Sequence, residues 1–430
     1  YLFHLRDDVY WSDGVQVTAD DFEYSWKRSL NPAIGAHSSK SQMFYDIKNA
    51  QGYHEGEISE PDQVGVRTID KGTLEVELER AASYFLQMLI TAHPVPRHVV
   101  ETHGNAWTDL ENIVTNGAFK LESYEPWESI SLVRNPSYHG RFLGNLERIE
   151  VNLYKSHDPL NELDLYKRNS IEITYLYEST YPRRHEFAEE YLTEPEPALY
   201  YVKFDTSRPP FNNLNVRQAF VMAVDRERGA DEVLDGYLYP ATGGFVPPTI
   251  PGHSPGIGLP YDPSHARSLM AQAGYPEGRG FPSVTLVCSS VEFGVKYLKS
   301  QWEDNLNINV AIKVVEFAKF IKGKDRAHLT ALGWRQDYPD PDDFLRVGVQ
   351  SQPPIWRDER YNRLLDEAQR TLVQADRIRL YQEADKILIE KAILMPVIYY
   401  KLHQLCKPWV KLPGGGIGLW RLRDVIIEPH

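Results

Sequence analysis

The chain has 430 residues, of which 42% are hydrophobic and 25% charged, a globular composition with length for two or three hydrophobic cores. Its 60 acidic and 47 basic residues give a net charge of -13, which argues against nucleic acid or an anionic membrane as the main partner. The longest apolar runs are far short of a membrane span.

The first region, from Tyr1, has the pattern of a strand, a turn and then a helix. Thr18 is a favourable N-cap, and Asp21 falls in the first turn, where the helix dipole favours an acid. Residues 73–79 alternate strictly between polar and apolar, which predicts a half-exposed strand. Three residues at helical spacing are expected to pack inward from the first helix: Phe22, Trp26 and Leu30.

The second half of the chain alternates strands with helices, which predicts an α/β fold with a mixed sheet. Residues 198–204 form one predicted strand. Residues 263–273 form a predicted helix, with either Asp262 or Ser264 as its cap. Two more amphipathic helices are predicted between Tyr361 and Glu390. The first is expected to bury one face, made of Leu364, Leu365, Ala368 and Leu372.

The two cysteines, Cys288 and Cys406, are far apart in sequence and each falls in a predicted strand. We expect free buried thiols, with a disulfide bond in an oxidising compartment as the alternative. The sequence contains neither Cys-x-x-Cys nor His-Glu-x-x-His, so neither a structural zinc nor a zinc protease site is expected. We predict no metal and no cofactor.

The stretch from Ala331 to Pro341 is the candidate functional site. Gly333 leaves its backbone open to close approach by a ligand, and Trp334 offers a flat apolar wall with one hydrogen-bond donor. Asp337 is the first carboxylate after the predicted strand. An open strand edge that ends in a negative charge beside an indole suits an extended ligand with a positive end. The structural alternative is a strand, a turn and a helix capped by an aspartate.

Enzymatic patterns are absent: there is no Gly-x-Ser-x-Gly elbow, no protein-kinase set and no recognisable Cys/His pair. The carboxylates of residues 337–343 suggest acid/base catalysis or calcium binding, but the central Gly and closing Glu of an EF-hand are missing. Capping by Asp342 of a helix that begins at Phe344 is the simpler interpretation. The glycine-rich run 414–418 lacks the strand-then-helix context of a phosphate loop. We expect a protein that is not an enzyme.

The pattern Gly-Trp-x-x-Asp-Tyr-x-x-Pro of residues 333–341 resembles the oligopeptide-binding proteins of bacterial ABC importers, which are large extracytoplasmic solute-binding receptors. The resemblance covers essentially the whole chain. Further blocks match the family in the same order, namely residues 3–8, 11–14, 17–22, 113–119, 208–212, 216–219 and 407–410.

This resemblance implies an α/β, two-lobed, periplasmic-binding-protein-like fold with mixed sheets and an extra third domain. Family members have several dozen residues ahead of the block that begins at Tyr1, so N-terminal strands of the first lobe are expected to be missing. The implied domains are residues 1–97 as the extra α+β domain of the first lobe, 98–197 as the first-lobe ligand-binding domain, 198–398 as the second-lobe α/β ligand-binding domain, and 399–430 as the return segment.

The resemblance also implies a ligand site. In the family, an extended peptide is enclosed between the lobes and its backbone pairs with strand edges. Asp337 matches the carboxylate that meets the peptide's α-amino group, and Trp334 matches a residue that walls a side-chain pocket. Gly333 and Arg335 match positions whose main chain flanks the peptide. Two further ligand-binding positions are matched by Tyr201 and Phe317.

Three departures from the family leave the preferred peptide length open. Ala331 stands where the best-known members have an arginine, Arg335 stands where they have a cysteine, and Lys324 is a candidate replacement for a second basic residue. A relative that binds dipeptides, nickel complexes or haem remains an alternative, as does a fragment that folds and binds nothing.

The expected partners are peptides with a free amino terminus and the membrane permease of an ABC transporter, with no nucleic acid, and the chain is expected to be a monomer. The expected location is periplasmic or extracellular, with a lipid anchor in a segment outside this chain as an open question. A ligand-sensing domain of a regulatory protein is the alternative function.

Overall fold

The computed structural model describes residues 1–35, 39–153, 158–289, 294–316, 327–350, 356–413 and 421–430. The chain forms two compact units. Unit 1 comprises residues 1–174, 189–191 and 404–430, and unit 2 comprises residues 175–188 and 192–403. The predicted domain boundaries at 97/98, 197/198 and 398/399 remain predictions. Phe317, Lys324 and the glycine-rich run 414–418 lie outside the described residues.

The strands range in length from two residues to the 14 residues of β8. In chain order they are β1 Leu2–His4, β2 Val66–Asp70, β3 Thr73–Val76, β4 Phe119–Glu125, β5 Ser129–Arg134, β6 Arg148–Asn152, β7 Ile173–Tyr175, β8 Tyr191–Phe204, β9 Tyr239–Pro240, β10 Val284–Cys288, β11 Val310–Val314, β12 Leu329–Arg335, β13 Leu394–Cys406, β14 Val410–Lys411 and β15 Ile426–Ile427.

The longer helices lie mainly in unit 2. In chain order the α-helices are α1 Ala19–Leu30, α2 Pro32–Gly35, α3 Ala50–His54, α4 Phe85–Met88, α5 Arg97–His103, α6 Pro159–Lys167, α7 Leu214–Met222, α8 Arg226–Arg228, α9 Pro263–Gln272, α10 Val295–Leu306, α11 Glu359–Arg370 and α12 Gln374–Glu390. Two further turns are π-helical, Gly229–Val233 and Asp343–Gly348. In the described chain, no helix combines the length and the apolarity needed to span a bilayer.

Unit 1 contains the antiparallel sheet β1-β3-β2, with α1 packed against it, and a second antiparallel sheet, β4-β5-β6. The backbone N–H of Thr18 donates to the Asp21 carboxylate at 2.9 Å, which confirms the predicted start of α1. Trp26 and Leu30 are buried as expected, and the Trp26 indole N–H donates to the carbonyl oxygen of Ala92 at 3.2 Å. Phe22 is only half-buried. The amphipathic face of α1 therefore forms much of this core.

Unit 2 is built on a mixed sheet with the strand order β11-β10-β12-β8-β13-β7, and β9 pairs with β13. Strand β10 runs parallel to β11 and β12, and β12 runs antiparallel to β8. The parallel pair β10 and β11 is joined through α10, the βαβ arrangement that the alternation of strands and helices predicts. The mixed-sheet α/β prediction is confirmed.

Helices pack on both faces of this sheet. Successive side chains of a strand point to opposite faces, so one strand contributes to both cores. Along β8, Tyr200, Val202 and Phe204 join a core with α7, α9 and α10, whereas Leu199 and Tyr201 join a second core with α11 and α12. Strands buried on both sides have few polar positions, which accounts for the nearly continuous apolar pattern of residues 198–204 apart from Lys203.

Two details of the helices differ from or refine the predictions. Asp262 is the cap of α9, because its carboxylate accepts a hydrogen bond from the His265 N–H at 2.9 Å. The prediction for Leu372 was wrong: its side chain is 85% exposed. Helix α11 ends at Arg370 and Thr371 has an extended backbone, so Leu372 falls in the connection to α12 and not on the buried face.

Cys288 and Cys406 are both buried and neither forms a disulfide bond, which confirms the prediction of free thiols. Cys288 belongs to unit 2 and Cys406 to unit 1. Burial raises the pKa of the Cys406 thiol to about 11, so the reactive thiolate form is suppressed at neutral pH.

Candidate functional site

The candidate site is built on the end of β12 in unit 2. On one side β12 pairs antiparallel with β8 along its whole length, with Gly333 opposite Tyr200 and Arg335 opposite Ala198. On the other side it pairs with β10 through Leu329 and Thr330 only. Among the described residues, no strand pairs with residues 331–335 on that side. Among the described residues, one edge of this stretch is therefore without a strand partner.

Gly333 is exposed, and the nearest atom to a Cβ placed there would be the Tyr400 hydroxyl at 3.5 Å, an ordinary contact. A Cβ atom would thus fit here without displacing described protein atoms. The glycine is explained better by a need for open space above the strand than by crowding within unit 2.

Trp334 is half-buried and packs against the core formed with α11 and α12. Its Nε1 donates a hydrogen bond to Asp343 Oδ2 at 3.0 Å. The indole also lies close to Gly348, where an added Cβ would be 3.2 Å from two ring atoms. The indole is consequently held on one face by packing and at its nitrogen by a carboxyl group.

Asp337 is exposed and follows β12 by two residues. Its backbone N–H donates to the same Asp343 Oδ2 at 3.3 Å. One buried oxygen atom thus accepts hydrogen bonds from both Trp334 and Asp337, two of the residues predicted to contact ligand. Asp343 itself is fully buried, and burial raises the pKa of its carboxyl group to about 8.

The prediction that Asp342 caps a helix was wrong. The helical turn Asp343–Gly348 follows it, but the Asp342 carboxylate caps no backbone group of that turn. Instead it accepts hydrogen bonds from the Tyr338 hydroxyl at 2.6 Å, the Tyr381 hydroxyl at 3.0 Å and Arg346 Nε at 2.8 Å. A buried carboxylate needs several donors, and these three side chains supply them.

Asp340 is also buried and forms an ion pair with Arg377 of α12 at 2.5 Å. Burial raises the pKa of the Asp340 carboxyl group, and Arg377 acts in the opposite direction. Asp340 and Asp342 are thus neutralised by arginines, which removes them as ligands for a cation. In the part of the chain that the structure describes, no cluster of His, Cys, Asp and Glu has a geometry that would hold a metal ion.

The Arg335 guanidinium lies beside Glu196 of β8 and donates two hydrogen bonds to its carboxylate, at 2.8 and 2.9 Å. The Arg335 side chain is 60% exposed, whereas that of Glu196 is only 13% exposed. This ion pair raises the pKa of Arg335. The pair places an accessible positive charge close to the end of the strand.

Tyr201 is placed differently from the other predicted site residues. Its side chain is 1% exposed and packs edge-on against Phe245, with ring centroids 4.9 Å apart. Burial raises the pKa of its hydroxyl group. Its surroundings are those of a core residue, so they lend no support to a ligand contact by the Tyr201 ring, and that role stays a prediction. The role predicted for Phe317 concerns a residue outside the described part of the chain.

The structure thus brings together Gly333, Trp334, Arg335 and Asp337 at the end of one strand. Sequence reasoning missed Asp343, which accepts hydrogen bonds from Trp334 and Asp337, and Glu196, which forms an ion pair with Arg335. Asp343 had a weak sequence signal, because four aspartates within residues 337–343 are more than a surface turn needs. Glu196 had none, because its partner is 139 residues away along the chain.

Curated relatives match along almost the whole chain. The periplasmic oligopeptide-binding protein OppA of Escherichia coli is 29% identical over 444 residues, which cover 97% of this chain and 79% of OppA. The probable deoxycholate-binding periplasmic protein YgiS of Escherichia coli is 30% identical over 447 residues, which cover 99% of this chain and 81% of YgiS.

Solved structures agree with these relatives. The murein tripeptide binding protein MppA of Escherichia coli has a TM-score of 0.82 at 27% identity, with 100% of this chain and 87% of MppA covered. A periplasmic oligopeptide-binding protein from Borrelia burgdorferi has a TM-score of 0.81 at 26% identity, with 99% and 87% covered. Residues 1–353 match the model of the family described as bacterial extracellular solute-binding proteins, family 5 Middle. This chain therefore belongs to the family 5 bacterial extracellular solute-binding proteins.

Proposed function

We propose that this protein is an extracytoplasmic receptor that binds extended peptides with a free amino terminus and delivers them to the permease of an ABC importer. The observation that carries the proposal is the end of β12: a strand edge without a described partner, followed by the exposed residue Asp337, whose backbone N–H shares the acceptor Asp343 Oδ2 with the Trp334 indole. Relatives named for peptide binding support the same ligand class.

The chemistry of the site favours a peptide ligand. Main-chain hydrogen bonds to the edge of residues 331–335 bind any peptide sequence, because every residue except proline has the same backbone donor and acceptor. The ammonium group of the peptide pairs with Asp337, which fixes the register of the bound strand. Burying an ammonium group without a partner is costly, so ligands without a free amine are rejected.

The test is Asp337→Asn, which keeps the shape of the side chain and removes its charge. Isothermal titration calorimetry with alanine peptides of increasing length, from dipeptide to hexapeptide, identifies a length that binds the wild type. For that peptide we expect the variant to lose about 2–4 kcal/mol of binding free energy. For the N-acetylated peptide we expect weak binding to both proteins, with little difference between them.

Asp366→Asn on α11 is the matched control, since Asp366 is also an exposed aspartate of unit 2. It should bind the free-amine peptide as the wild type does. Equal affinity of wild type and Asp337→Asn for that peptide would refute the role of Asp337.

Deoxycholate is the second candidate ligand, because YgiS, at 30% identity, is named for it. It is an anionic steroid without an amine to pair with Asp337, and Arg335 is partly neutralised by Glu196. We therefore expect deoxycholate to bind more weakly than the peptides in the same calorimetric experiment. Tighter binding of deoxycholate would overturn the assignment of the ligand class.

The remaining parts of the proposal concern the setting of the protein. The relatives are periplasmic proteins, and we propose a periplasmic or extracellular location and a monomeric state, which light scattering on the purified protein measures. The lipid anchor stays a prediction. We also propose that the protein has no enzymatic activity, in line with a family of binding receptors.

A further inference from the structure

Asp343 is the buried centre of the candidate site. It is 0% exposed, and its Oδ2 accepts hydrogen bonds from Trp334 Nε1 at 3.0 Å and from the Asp337 backbone N–H at 3.3 Å. Among the described residues, no group forms a hydrogen bond with the other oxygen, Oδ1. This buried carboxyl group is therefore hydrogen-bonded to Trp334 and Asp337, two of the residues predicted to contact ligand.

We propose that Asp343 is the positioning residue of the peptide site, which holds the Trp334 indole and the Asp337 main chain in fixed relative positions and releases a proton when a ligand ammonium group pairs with Asp337. This inference rests on the proposed function, since the ammonium group is that of the peptide. It adds a residue that neither touches the ligand nor was expected from the sequence.

The surroundings of Asp343 keep it in place. Asp340 and Asp342 immediately before it are anchored, the first by Arg377 at 2.5 Å and the second by Arg346 and two tyrosine hydroxyls. Gly348, at the end of the same helical turn, lies against the indole of Trp334. The indole therefore has packing on one side and a fixed acceptor at its nitrogen, which restricts its rotation.

The charge state of Asp343 depends on its neighbours. Burial raises the pKa of the Asp343 carboxyl group to about 8, the indole and amide hydrogen bonds lower it, and the charges of Asp337 and Asp342 raise it. Next to it in the chain, Asp340 and Asp342 form hydrogen bonds with the ionisable groups of Tyr338, Arg346, Arg377 and Tyr381. On the same helical segment, Tyr361 donates to the carbonyl oxygen of Leu345 and Lys203 donates to that of Val349. At neutral pH the free site therefore holds a proton on Asp343 for most of the time.

A ligand ammonium group beside Asp337 favours the ionised form of Asp343. Its pKa then falls on binding, a proton is released to solvent, and affinity rises with pH below the pKa of the free site. The peptide amine, with an ordinary pKa of about 7.7–8.0, stays protonated up to about pH 7, so this range isolates Asp343.

The first experiment needs no ligand. The indole N–H signal of Trp334 in a nitrogen-15 NMR spectrum is identified by its loss in Trp334→Phe. In the wild type we expect it to shift with pH, with a midpoint near 8. In Asp343→Asn the shift should disappear. In Asp385→Asn, which removes another fully buried carboxyl group of unit 2, it should remain as in the wild type.

The second experiment is calorimetry with the free-amine peptide at about pH 5.5 and about pH 7, in two buffers of different ionisation enthalpy. For the wild type we expect an affinity about three- to tenfold higher at the upper pH and the release of up to about one proton per ligand. Asp343→Asn keeps an acceptor for the indole but should show neither effect. Asp385→Asn should show both.

Proton release that persists in Asp343→Asn would overturn the inference. A Trp334 indole signal of the wild type that does not shift between about pH 6 and pH 9 would also overturn it. This measurement uses only the wild type, so it is valid even if Asp343→Asn fails to fold. A wild type that binds no free-amine peptide overturns the proposed function, and with it the ligand-linked proton release. The indole titration then still decides whether Asp343 positions Trp334.

Discussion

Unit 2 buries several carboxyl groups, and each is stabilised by different hydrogen-bond partners. Asp340 is paired with an arginine, and Asp342 accepts hydrogen bonds from tyrosines and an arginine. Asp385 accepts a hydrogen bond from the Phe245 backbone N–H at 2.8 Å. Burial raises the pKa of Asp385 to about 7. Such a group makes stability depend on pH.

The sign of that dependence follows from proton binding. In the unfolded chain Asp385 ionises near its ordinary pKa of 3.8, whereas in the folded protein it keeps its proton up to about pH 7. The folded state therefore binds more protons in this range, and the free energy of unfolding falls as pH rises.

Asp385→Asn should remove this fall in the free energy of unfolding with rising pH. Between about pH 5 and pH 8 we expect the free energy of unfolding to fall by about 1–3 kcal/mol more in the wild type than in the variant, measured by urea denaturation at both pH values. Asp366→Asn, at an exposed position, should follow the wild type. A variant as sensitive to pH as the wild type would show that Asp385 does not carry the effect.

At the scale of elements, one side chain ties α7 to the end of α12. Arg217 of α7 is 7% exposed and donates hydrogen bonds to three carbonyl oxygens: those of Phe211 at 2.8 Å, Lys391 at 2.8 Å and Ala392 at 3.0 Å. The carbonyl oxygens at the end of a helix need such donors, because they have no partner within the helix.

Arg217→Met keeps much of the buried stem and removes all of these donors. We expect a loss of about 2–4 kcal/mol in the free energy of unfolding, because buried carbonyl groups are left without partners. Arg363→Met on α11 is the matched control, since the Arg363 side chain is 71% exposed and its ion pair with Glu359 contributes little. Equal stability of the two variants in urea denaturation would contradict the assigned role of Arg217.

Local sequence patterns predicted most elements of unit 2 but not the partners of individual side chains. The strands and helices of unit 2 were predictable because their periodicities of about two and 3.6 residues report burial directly. Leu372 was mispredicted because its spacing fits the helix, while the chain leaves the helix at Thr371. Asp342 was mispredicted because local capping was the only partner visible in the sequence, whereas Tyr381 lies 39 residues away.

At the scale of the whole molecule, the two units can be observed separately through their cysteines. Cys288 is 0% exposed in unit 2, and Cys406 is 6% exposed in unit 1. The native protein should not react with an aromatic disulfide reagent, because thiols must become accessible and ionise before they react.

The variants Cys288→Ala and Cys406→Ala leave one thiol each, so the rate of labelling reports opening of one unit at a time. We expect slow labelling of both variants in buffer and complete labelling in denaturant, measured by absorbance of the released reagent. A binding peptide should slow the labelling of Cys288 in the Cys406→Ala variant, because a ligand stabilises the state it binds. Fast labelling of Cys288 in buffer would contradict its burial.

The sequence by itself predicted the α/β class and the mixed sheet, favoured free thiols over a disulfide bond, and, through its resemblance to a family, indicated the stretch that contains Gly333, Trp334, Arg335 and Asp337. The strands and helices were predictable because their patterns are local, whereas the stretch was singled out by motifs matched along the whole chain. Only the tertiary structure decided that residues 331–335 lack a described strand partner on one side, that Tyr201 is a core residue, and that Asp343 joins Trp334 to Asp337. The physical reason is that burial and hydrogen-bond partners depend on residues far apart in the chain, which no local pattern brings together.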